Sequence, residues 1–213
     1  MEKQTVLYQD QNGAIEGSLN YDGELLHLQL SGVNFSSKFM DGFSPEIKDV
    51  NPRFQLDGHN DLTNFTLQFN LPMRFLVIGK VEFLNLACEL SVQKDEDNYS
   101  RPFLRCKIQV NDIEINMPTA GTIESAIEQL NAQLPQNIKF IGCYNCRFSD
   151  YSIYGQQFWG SMLCFKNIKV TYSQVNGKDE YMEIMDNFDR PVPESHYCSE
   201  FEERPKTHTG YRG

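Results

Sequence analysis

The sequence lacks any run of about 18 consecutive apolar residues, so it predicts no helix that spans a membrane. Its first residues, Met-Glu-Lys-Gln-Thr, do not place an apolar stretch behind a basic region, as a secretory signal would. We therefore expect a cytoplasmic protein without a membrane partner.

The sequence also lacks the motifs that mark common catalytic sites. It contains no G-x-S-x-G elbow, no G-x-x-x-x-G-K-[ST] phosphate loop and no H-E-x-x-H pattern. Its four histidines are scattered, and none lies in a recognisable local pattern. The sequence therefore predicts no catalytic residue. The absence of these motifs favours a non-enzymatic protein but does not exclude an enzyme.

Basic side chains are scarce, since 19 lysines and arginines stand against 29 aspartates and glutamates, for a net charge of −10. Residues 178–203 alone hold nine acidic and two basic side chains. Nucleic-acid affinity comes largely from Lys and Arg at phosphates, so we expect no nucleic-acid partner. An acidic surface suits a basic protein partner, such as a toxin domain. The alternative is a solvated face that aids solubility.

Alternating apolar residues, typical of strands with one buried face, dominate the first half of the chain. Pro72 is expected to end one such run, because proline donates no backbone hydrogen bond. Asp22-Gly23 and Asn176-Gly177 predict β-hairpins with primed turns, whose central residues tolerate positive φ. The sequence therefore predicts an antiparallel meander or sandwich. The clearest runs are residues 65–71, 84–92 and 104–110.

One helix is predicted, over residues 122–134. Thr122 supplies its N-terminal cap, apolar residues follow at helical spacing, and Pro135 ends it. Its apolar stripe is expected to cover one face of the sheet. The predicted fold is thus mainly β, with an antiparallel domain over residues 1–135. A cysteine-rich segment over residues 136–213 packs on it in one continuous fold.

Six cysteines stand out in a chain predicted to be cytoplasmic, where disulfides rarely persist. Cys88 and Cys106 fall at inward strand positions and are expected to pack in the core. Four thiolates from separate segments suit a closed tetrahedral site that selects Zn²⁺. We therefore predict a structural zinc that fastens the C-terminal segment. Its ligands are a C-x2-C pair and two later cysteines: Cys143, Cys146, Cys164 and Cys198.

Three other interpretations of these four cysteines remain open. A redox-active pair needs a helix after its first cysteine, and the residues that follow Cys146 show no helical pattern. A catalytic zinc keeps an open position and often uses a histidine ligand, for which His196 is the nearby candidate. In the third interpretation, the thiols are buried without a ligand.

From Cys143 onward the sequence contains a distinctive set of motifs: Cys143, Cys146, Ser149-Asp150-Tyr151, Tyr154-Gly155, residues 158–160, Cys164-Phe165, Tyr197-Cys198, Glu200-Phe201, Arg204 and Gly210-Tyr211-Arg212-Gly213. In these motifs the sequence resembles a family of uncharacterised bacterial proteins of about this length. The resemblance implies no activity, but it implies an association with toxin-immunity loci. It also implies a docked C-terminus, in which Arg212 pairs with an acid such as Asp150 and Tyr211 packs near the metal.

Two functions fit these features. The first is a non-enzymatic binding protein, an acidic immunity protein that neutralises a bacterial toxin by matching its basic surface. The alternative is an enzyme or small-ligand carrier with a structural zinc, in which the meander closes into a barrel or sandwich. In that case the aromatic loop over residues 144–159 lines the mouth of the barrel.

Overall fold

The computed structural model describes residues 1–47, 52–94, 100–118, 120–154 and 159–205. Strands hold 46% of the residues and helices 16%, and the sheets are antiparallel and open. The predicted fold class is confirmed at this level, whereas the zinc-fastened segment stays a prediction. Within the described ranges, no helix is long and apolar enough to cross a bilayer.

The described residues place nine strands along the larger sheet: β1 (Gln4–Asp10), β2 (Gly13–Tyr21), β3 (Leu26–Leu30), β4 (Val33–Ser37), β5 (Ser44–Pro45), β6 (Phe65–Val77), β7 (Lys80–Lys94), β8 (Ser100–Val110) and β9 (Ile113–Met117). The order across the sheet is β5-β4-β3-β2-β1-β6-β7-β8-β9. Two meanders therefore meet at the antiparallel pair of β1 and β6, where Tyr8 lies opposite Leu67.

Contacts divide the chain into two compact units. Unit 1 comprises residues 1–72 and 85–130, and unit 2 comprises residues 73–84 and 131–213. The sequence predicts a boundary after residue 135. It carries no signal that the connection between β6 and β7 belongs with the C-terminal residues.

In unit 1 the strands bury one face and expose the other. Along β6, Phe65, Leu67 and Phe69 are buried, and the polar residues between them are more exposed. The same alternation continues in β7 and β8. A sheet with one apolar face needs a core on that face, which these side chains form.

The helix that begins near the end of unit 1 confirms the prediction to within one residue at each end. It is α1 (Ile123–Gln133), and the hydroxyl oxygen of Thr122 accepts a hydrogen bond from the Ser125 backbone N–H at 3.2 Å. Its apolar stripe is buried, as predicted from its spacing. The buried members are Ile123, Ala126, Ile127 and Leu130.

The hairpin predicted at Asp22-Gly23 is confirmed, but its primed turn is wrong. Strands β2 and β3 pair Tyr21 with Leu26, which leaves a four-residue connection. Gly23 has a positive φ of 114°, whereas Asp22 does not. Instead, Oδ1 of Asp22 accepts hydrogen bonds from the backbone N–H groups two and three residues ahead, both at 2.8 Å. A side chain that satisfies two backbone donors stabilises this wider loop.

Strand β6 runs through Pro72, so the prediction that this proline ends the strand is wrong. Strand β1 pairs with residues 66–68 of β6, and the short strand β10 (Ile138–Phe140) pairs with residues 75–77. Pro72 lies between these pairings, where a missing N–H breaks no hydrogen bond to either strand. A proline is therefore tolerated in the middle of a long strand.

Unit 2 contains a second antiparallel sheet in the order β11-β12-β13. Its strands are β11 (Ser149–Tyr151), β12 (Met162–Cys164) and β13 (Arg190–Val192). Two short helices lie between β12 and β13, α2 (Lys169–Tyr172) and α3 (Lys178–Ile184).

The hairpin predicted at Asn176-Gly177 is wrong. The chain is helical on both sides of this pair, in α2 and α3. Gly177 has a φ of −175°, an extended conformation that any residue adopts, and it immediately precedes α3. The glycine thus starts a helix rather than turning a hairpin.

Aromatic side chains give unit 2 a core of its own. The rings of Phe165 and Tyr172 stack at 4.8 Å, and Tyr181 meets Phe165 edge-on at 5.6 Å. All three side chains are fully buried. The sequence predicts a segment poor in core residues, because short strands and single helical turns show no periodicity. That expectation is wrong.

Candidate metal centre

The C-x2-C pair lies in and just after a single turn of 3-10 helix, Cys143–Asn145. The Cys146 backbone N–H donates to the Cys143 carbonyl oxygen at 3.1 Å and closes the turn. Gly142, just before it, has no room for a side chain. A Cβ there would lie 2.3 Å from the Phe140 ring and 2.8 Å from the Glu194 carbonyl oxygen. The glycine therefore lets a later segment of the chain pass against the turn.

Backbone hydrogen bonds tie the C-terminal segment to this turn on both sides of Cys198. Before it, the His196 carbonyl oxygen accepts a hydrogen bond from the Cys143 N–H at 2.7 Å. After it, the Arg204 N–H donates to the Asn145 carbonyl oxygen at 2.8 Å. The fourth predicted ligand is therefore anchored near the first two.

Cys164 ends the central strand β12. The register pairs Cys164 with Ser149 in β11 and with Arg190 in β13. The Ser149 hydroxyl donates a hydrogen bond to the carbonyl oxygen of Cys143. The second sheet thus brings Cys164 to the C-x2-C pair. Cys143 and Cys164 belong to one buried cluster, which also contains Tyr151, Met162 and Val192.

Neighbouring cysteines also act electrostatically on the thiols of Cys143 and Cys164. Burial raises the pKa of the Cys143 thiol above its usual range, and the other three cysteines raise it further. Burial likewise raises the pKa of Cys164. A backbone hydrogen bond at Lys166 opposes that shift, and Cys198 and Cys146 add to it. Like charges act in this way only when they are near, so the four cysteines share one neighbourhood. None of them forms a disulfide.

This neighbourhood is not a finished metal site in the structure. Across the described residues, no group of three or more His, Cys, Asp or Glu side chains is arranged so that it could hold a metal ion. The zinc and its ligand set therefore stay predictions. The residues concerned are Cys143, Cys146, Cys164 and Cys198.

His196, the alternative ligand, lies against a cation. Its Nε2 is 3.3 Å from Nη2 of Arg190. Burial lowers the pKa of His196, and the charges of Arg190, Arg74 and Lys166 lower it further. A neutral imidazole can accept the hydrogen bond from the guanidinium through that nitrogen.

Asp150 is a fully buried carboxylate with a buried network around it. Its Oδ2 accepts a hydrogen bond from the Tyr172 hydroxyl at 2.9 Å and lies 3.7 Å from Nη2 of Arg204. Arg204 thus supplies the basic partner that the sequence assigns to Arg212. Arg212 and Tyr211 lie outside the described residues, so the docked terminus stays a prediction.

Glu194 is a second fully buried carboxylate, and sequence reasoning missed it. It accepts hydrogen bonds from the Tyr151 hydroxyl at 3.2 Å and the Gly160 N–H at 2.9 Å. Glu194 is one of the nine acidic residues of the stretch 178–203, which together predict a solvent-exposed segment. Val192 is buried two residues earlier, and this spacing of two on an extended segment is the signal that could have located Glu194.

A family model matches residues 2–149 of the chain. The chain belongs to a family of unknown function, DUF6304. No curated protein and no solved structure matches it.

The match confirms membership of an uncharacterised family. It includes Cys143 and Cys146 and ends before Cys164 and Cys198. The C-terminal motif pattern and the link to toxin-immunity loci therefore stay predictions. Parts of that pattern lie outside the described residues: Gly155, Phe158 and residues 210–213.

Charge differs sharply between the units. Counted along the sequence, unit 1 has 18 acidic and 8 basic side chains, a net charge of −10, whereas unit 2 has 11 of each. Acids of the stretch 178–203 meet bases of unit 2 in the pairs Lys166–Asp189, Lys169–Glu200, Lys169–Glu202, Arg147–Glu202 and Lys139–Glu203. The local excess that the sequence suggests is therefore balanced within its own unit, and the acidity of the chain belongs to unit 1.

Unit 1 also has a trough on the outward face of its sheet, with a volume of about 690 Å³. Its lining includes both signs of charge, since Glu89 and Arg105 form an ion pair at 3.1 Å. Such a surface offers hydrogen bonds to a polar ligand. Other lining residues are Gln68, Asn70, Lys107 and Asn116.

Proposed function

We propose that this chain is a non-enzymatic binding protein of the immunity type, which neutralises a bacterial toxin domain by covering a basic surface on it. An acidic protein meets a basic partner through complementary fields, which raise the association rate and exclude unsuitable partners. This proposal assigns partner binding to unit 1 and needs no catalytic residue.

The observation that carries the proposal is the net charge of −10 in unit 1. Four exposed acids lie at the turn between β2 and β3, beside the N-terminus, or next to β5; we name Glu2, Asp22, Glu24 and Glu46 the acidic corner. The N-terminal ammonium donates to the Tyr21 carbonyl oxygen at 3.1 Å, which places Glu2 beside Asp22. His27 joins Asp22 at 2.8 Å and Glu46 at 4.0 Å.

We further propose that the four cysteines of unit 2 bind one structural Zn²⁺. The support is that backbone hydrogen bonds and strand pairing bring together the three segments that carry these cysteines: the C-x2-C turn, β12 and the C-terminal segment. Zinc bound by four thiolates would replace mutual repulsion with coordination, and its binding energy would contribute to folding. The metal would fasten unit 2 and leave the partner surface of unit 1 unchanged.

The binding proposal is tested first by asking whether the neighbouring gene encodes a toxin with a basic domain, and then with that purified domain. Glu2→Gln, Glu24→Gln and Glu46→Gln are combined in one variant, and calorimetry and stopped-flow association are run at low and high salt. We expect association about tenfold slower than for the unchanged protein at low salt, with a weaker salt dependence.

The matched control removes three acids from unit 2, as Glu200→Gln, Glu202→Gln and Glu203→Gln. These side chains are ion-paired inside their own unit, so the control should change the association rate by less than about twofold. Equal effects of the two variants, or no binding to the neighbouring toxin domain, would contradict the proposal.

The trough of unit 1 favours a second candidate function, a carrier of a small polar ligand. Its volume lies within the range of about 300–1,000 Å³ that is common for ligand pockets. The test is a thermal-shift screen of polar metabolites with Lys107→Ala as the comparison. A ligand that stabilises the unchanged protein and not the variant would support this candidate, and a screen without such a ligand would count against it.

A further inference from the structure

Cys88 and Cys106 form a pair that neither the metal site nor the partner surface uses. They lie directly opposite each other on β7 and β8, and their Sγ atoms are 3.5 Å apart. Both side chains are buried, with 4% and 5% exposure. The Cys88 thiol also donates to the Leu86 carbonyl oxygen at 3.5 Å, which fixes its direction.

The strand register already meets the backbone requirement for a disulfide. Residues directly opposite in an antiparallel pair have Cα atoms about 4.5–5.5 Å apart, and disulfides span Cα distances of about 4.4–6.8 Å. A bond at about 2.05 Å therefore needs the two sulfurs to approach by roughly 1.5 Å, which side-chain rotation can supply. The Cβ atoms of such pairs, about 4.5–5.5 Å apart, must also approach the 3.5–4.5 Å of a disulfide, so a small backbone adjustment accompanies the bond.

We infer that Cys88 and Cys106 are an oxidation site, which hydrogen peroxide converts to a cross-strand disulfide. One thiolate attacks the peroxide, the O–O bond breaks, and the products are a sulfenic acid and hydroxide. The second thiol then attacks the sulfenic sulfur, forms the S–S bond and releases water. Two thiols and one peroxide thus give one disulfide and two waters.

The surroundings determine how this site behaves. Burial raises the pKa of Cys88, and the neighbouring Cys106 adds to that effect, so the reactive thiolate is scarce at neutral pH. Oxidation is therefore slow and speeds up with rising pH. Once formed, the bond is enclosed by the sheet and resists reduction until the protein opens or unfolds.

The test treats the full-length protein with a few equivalents of hydrogen peroxide, blocks remaining thiols under denaturing conditions and digests without reduction. Trypsin cuts after Lys80, Lys94, Arg105 and Lys107, so Cys88 falls in peptide 81–94 and Cys106 in peptide 106–107. Neither peptide contains another cysteine. Mass spectrometry should find the two joined, and the melting temperature should rise by about 5 °C.

Controls separate this pair from the four cysteines of unit 2. Cys106→Ser should abolish the joined peptide and the rise in melting temperature, and dithiothreitol with denaturant should reverse both in the unchanged protein. Failure to form the joined peptide while Cys198 becomes oxidised would overturn the inference. So would a Cys88 that links equally to peptides bearing the unit 2 cysteines.

Discussion

The two units of this chain are built by different means. Unit 1 consists of long strands joined mostly by short hairpins, and each strand pairs largely with its neighbour in sequence. Apart from the connected ends of β6 and β7, unit 2 consists of three-residue strands and short helices held by contacts between distant segments, such as Cys143 with His196 and Asn145 with Arg204. Local pairing carries a low cost of loop closure, whereas distant contacts need additional fastening. The four cysteines lie in unit 2, the unit that is held by such distant contacts.

Buried carboxylates add a further constraint to unit 2. Unit 2 encloses two carboxylates, Asp150 and Glu194, at full burial. A buried charge costs free energy unless hydrogen bonds and a counter-charge satisfy it. Tyr172 and Arg204 do so for Asp150, and this arrangement permits one relative placement of β11, α2 and the C-terminal segment.

The largest expected difference between the units comes from a single thiol in each. Cys146→Ser should reduce the free energy of opening in unit 2 by about 4 kcal/mol, a fraction of what structural zinc supplies to small domains. Hydrogen exchange measures this unit by unit. Cys88→Ser, an equally buried thiol in unit 1, should leave exchange in unit 2 unchanged. Similar effects of both variants on unit 2 would contradict the zinc proposal.

The buried carboxylate gives the next largest effect. Asp150→Asn leaves the Arg204 guanidinium without its counter-charge and should lower the free energy of unfolding by about 3 kcal/mol, measured by denaturant titration. Glu203→Gln removes an exposed pair with Lys139 and should cost less than about 0.5 kcal/mol. If the two variants cost the same, the Asp150 network does not organise unit 2.

A steric test follows at the turn. Gly142→Ala places a Cβ against the Phe140 ring and the Glu194 carbonyl oxygen and should cost about 2 kcal/mol. Gly58→Ala, where a Cβ meets open space at an ordinary φ, should stay within about 0.5 kcal/mol. If Gly142→Ala leaves the free energy of unfolding unchanged, the segment at Glu194 does not pass this close to the turn.

The smallest effect belongs to an exposed turn of unit 1. Hydrogen bonds from the Leu25 backbone and the His27 ring lower the pKa of Asp22 below its usual range. Because the folded pKa is the lower one, its stabilisation is complete above the unfolded value of about 3.9 and is lost as pH falls through the folded value. The advantage of the unchanged protein over Asp22→Asn in melting temperature should therefore shrink between about pH 5 and pH 2. An advantage that grows on acidification would contradict this assignment.

The sequence is informative about unit 1 for a physical reason. Alternating burial leaves a period of two in residues 65–71, and the stripe of α1 leaves a period near 3.6, so both could be predicted. The prediction at Pro72 is wrong because a proline is tolerated where neither β1 nor β10 pairs with β6. The ends of these pairings are set by tertiary structure. Local patterns therefore carry most of this unit.

The sequence is less informative about unit 2. The C-x2-C spacing of Cys143 and Cys146 is visible in the sequence, and a zinc site that joins them to Cys164 and Cys198 stays a prediction. Asp150 and Arg204 are more than 50 positions apart in the sequence, and no periodic pattern indicates that they pair. Its aromatic core was missed for the same reason, since turns of three or four residues are too short to show a period.

Metal content decides whether one zinc ion holds unit 2 together. The full-length protein is purified without added metal or chelator, and its zinc is measured by elemental mass spectrometry in parallel with that of Cys146→Ser. We expect about one zinc per chain in the unchanged protein and well under one in the variant. A folded, unchanged protein that carries no zinc and binds none on titration would contradict it.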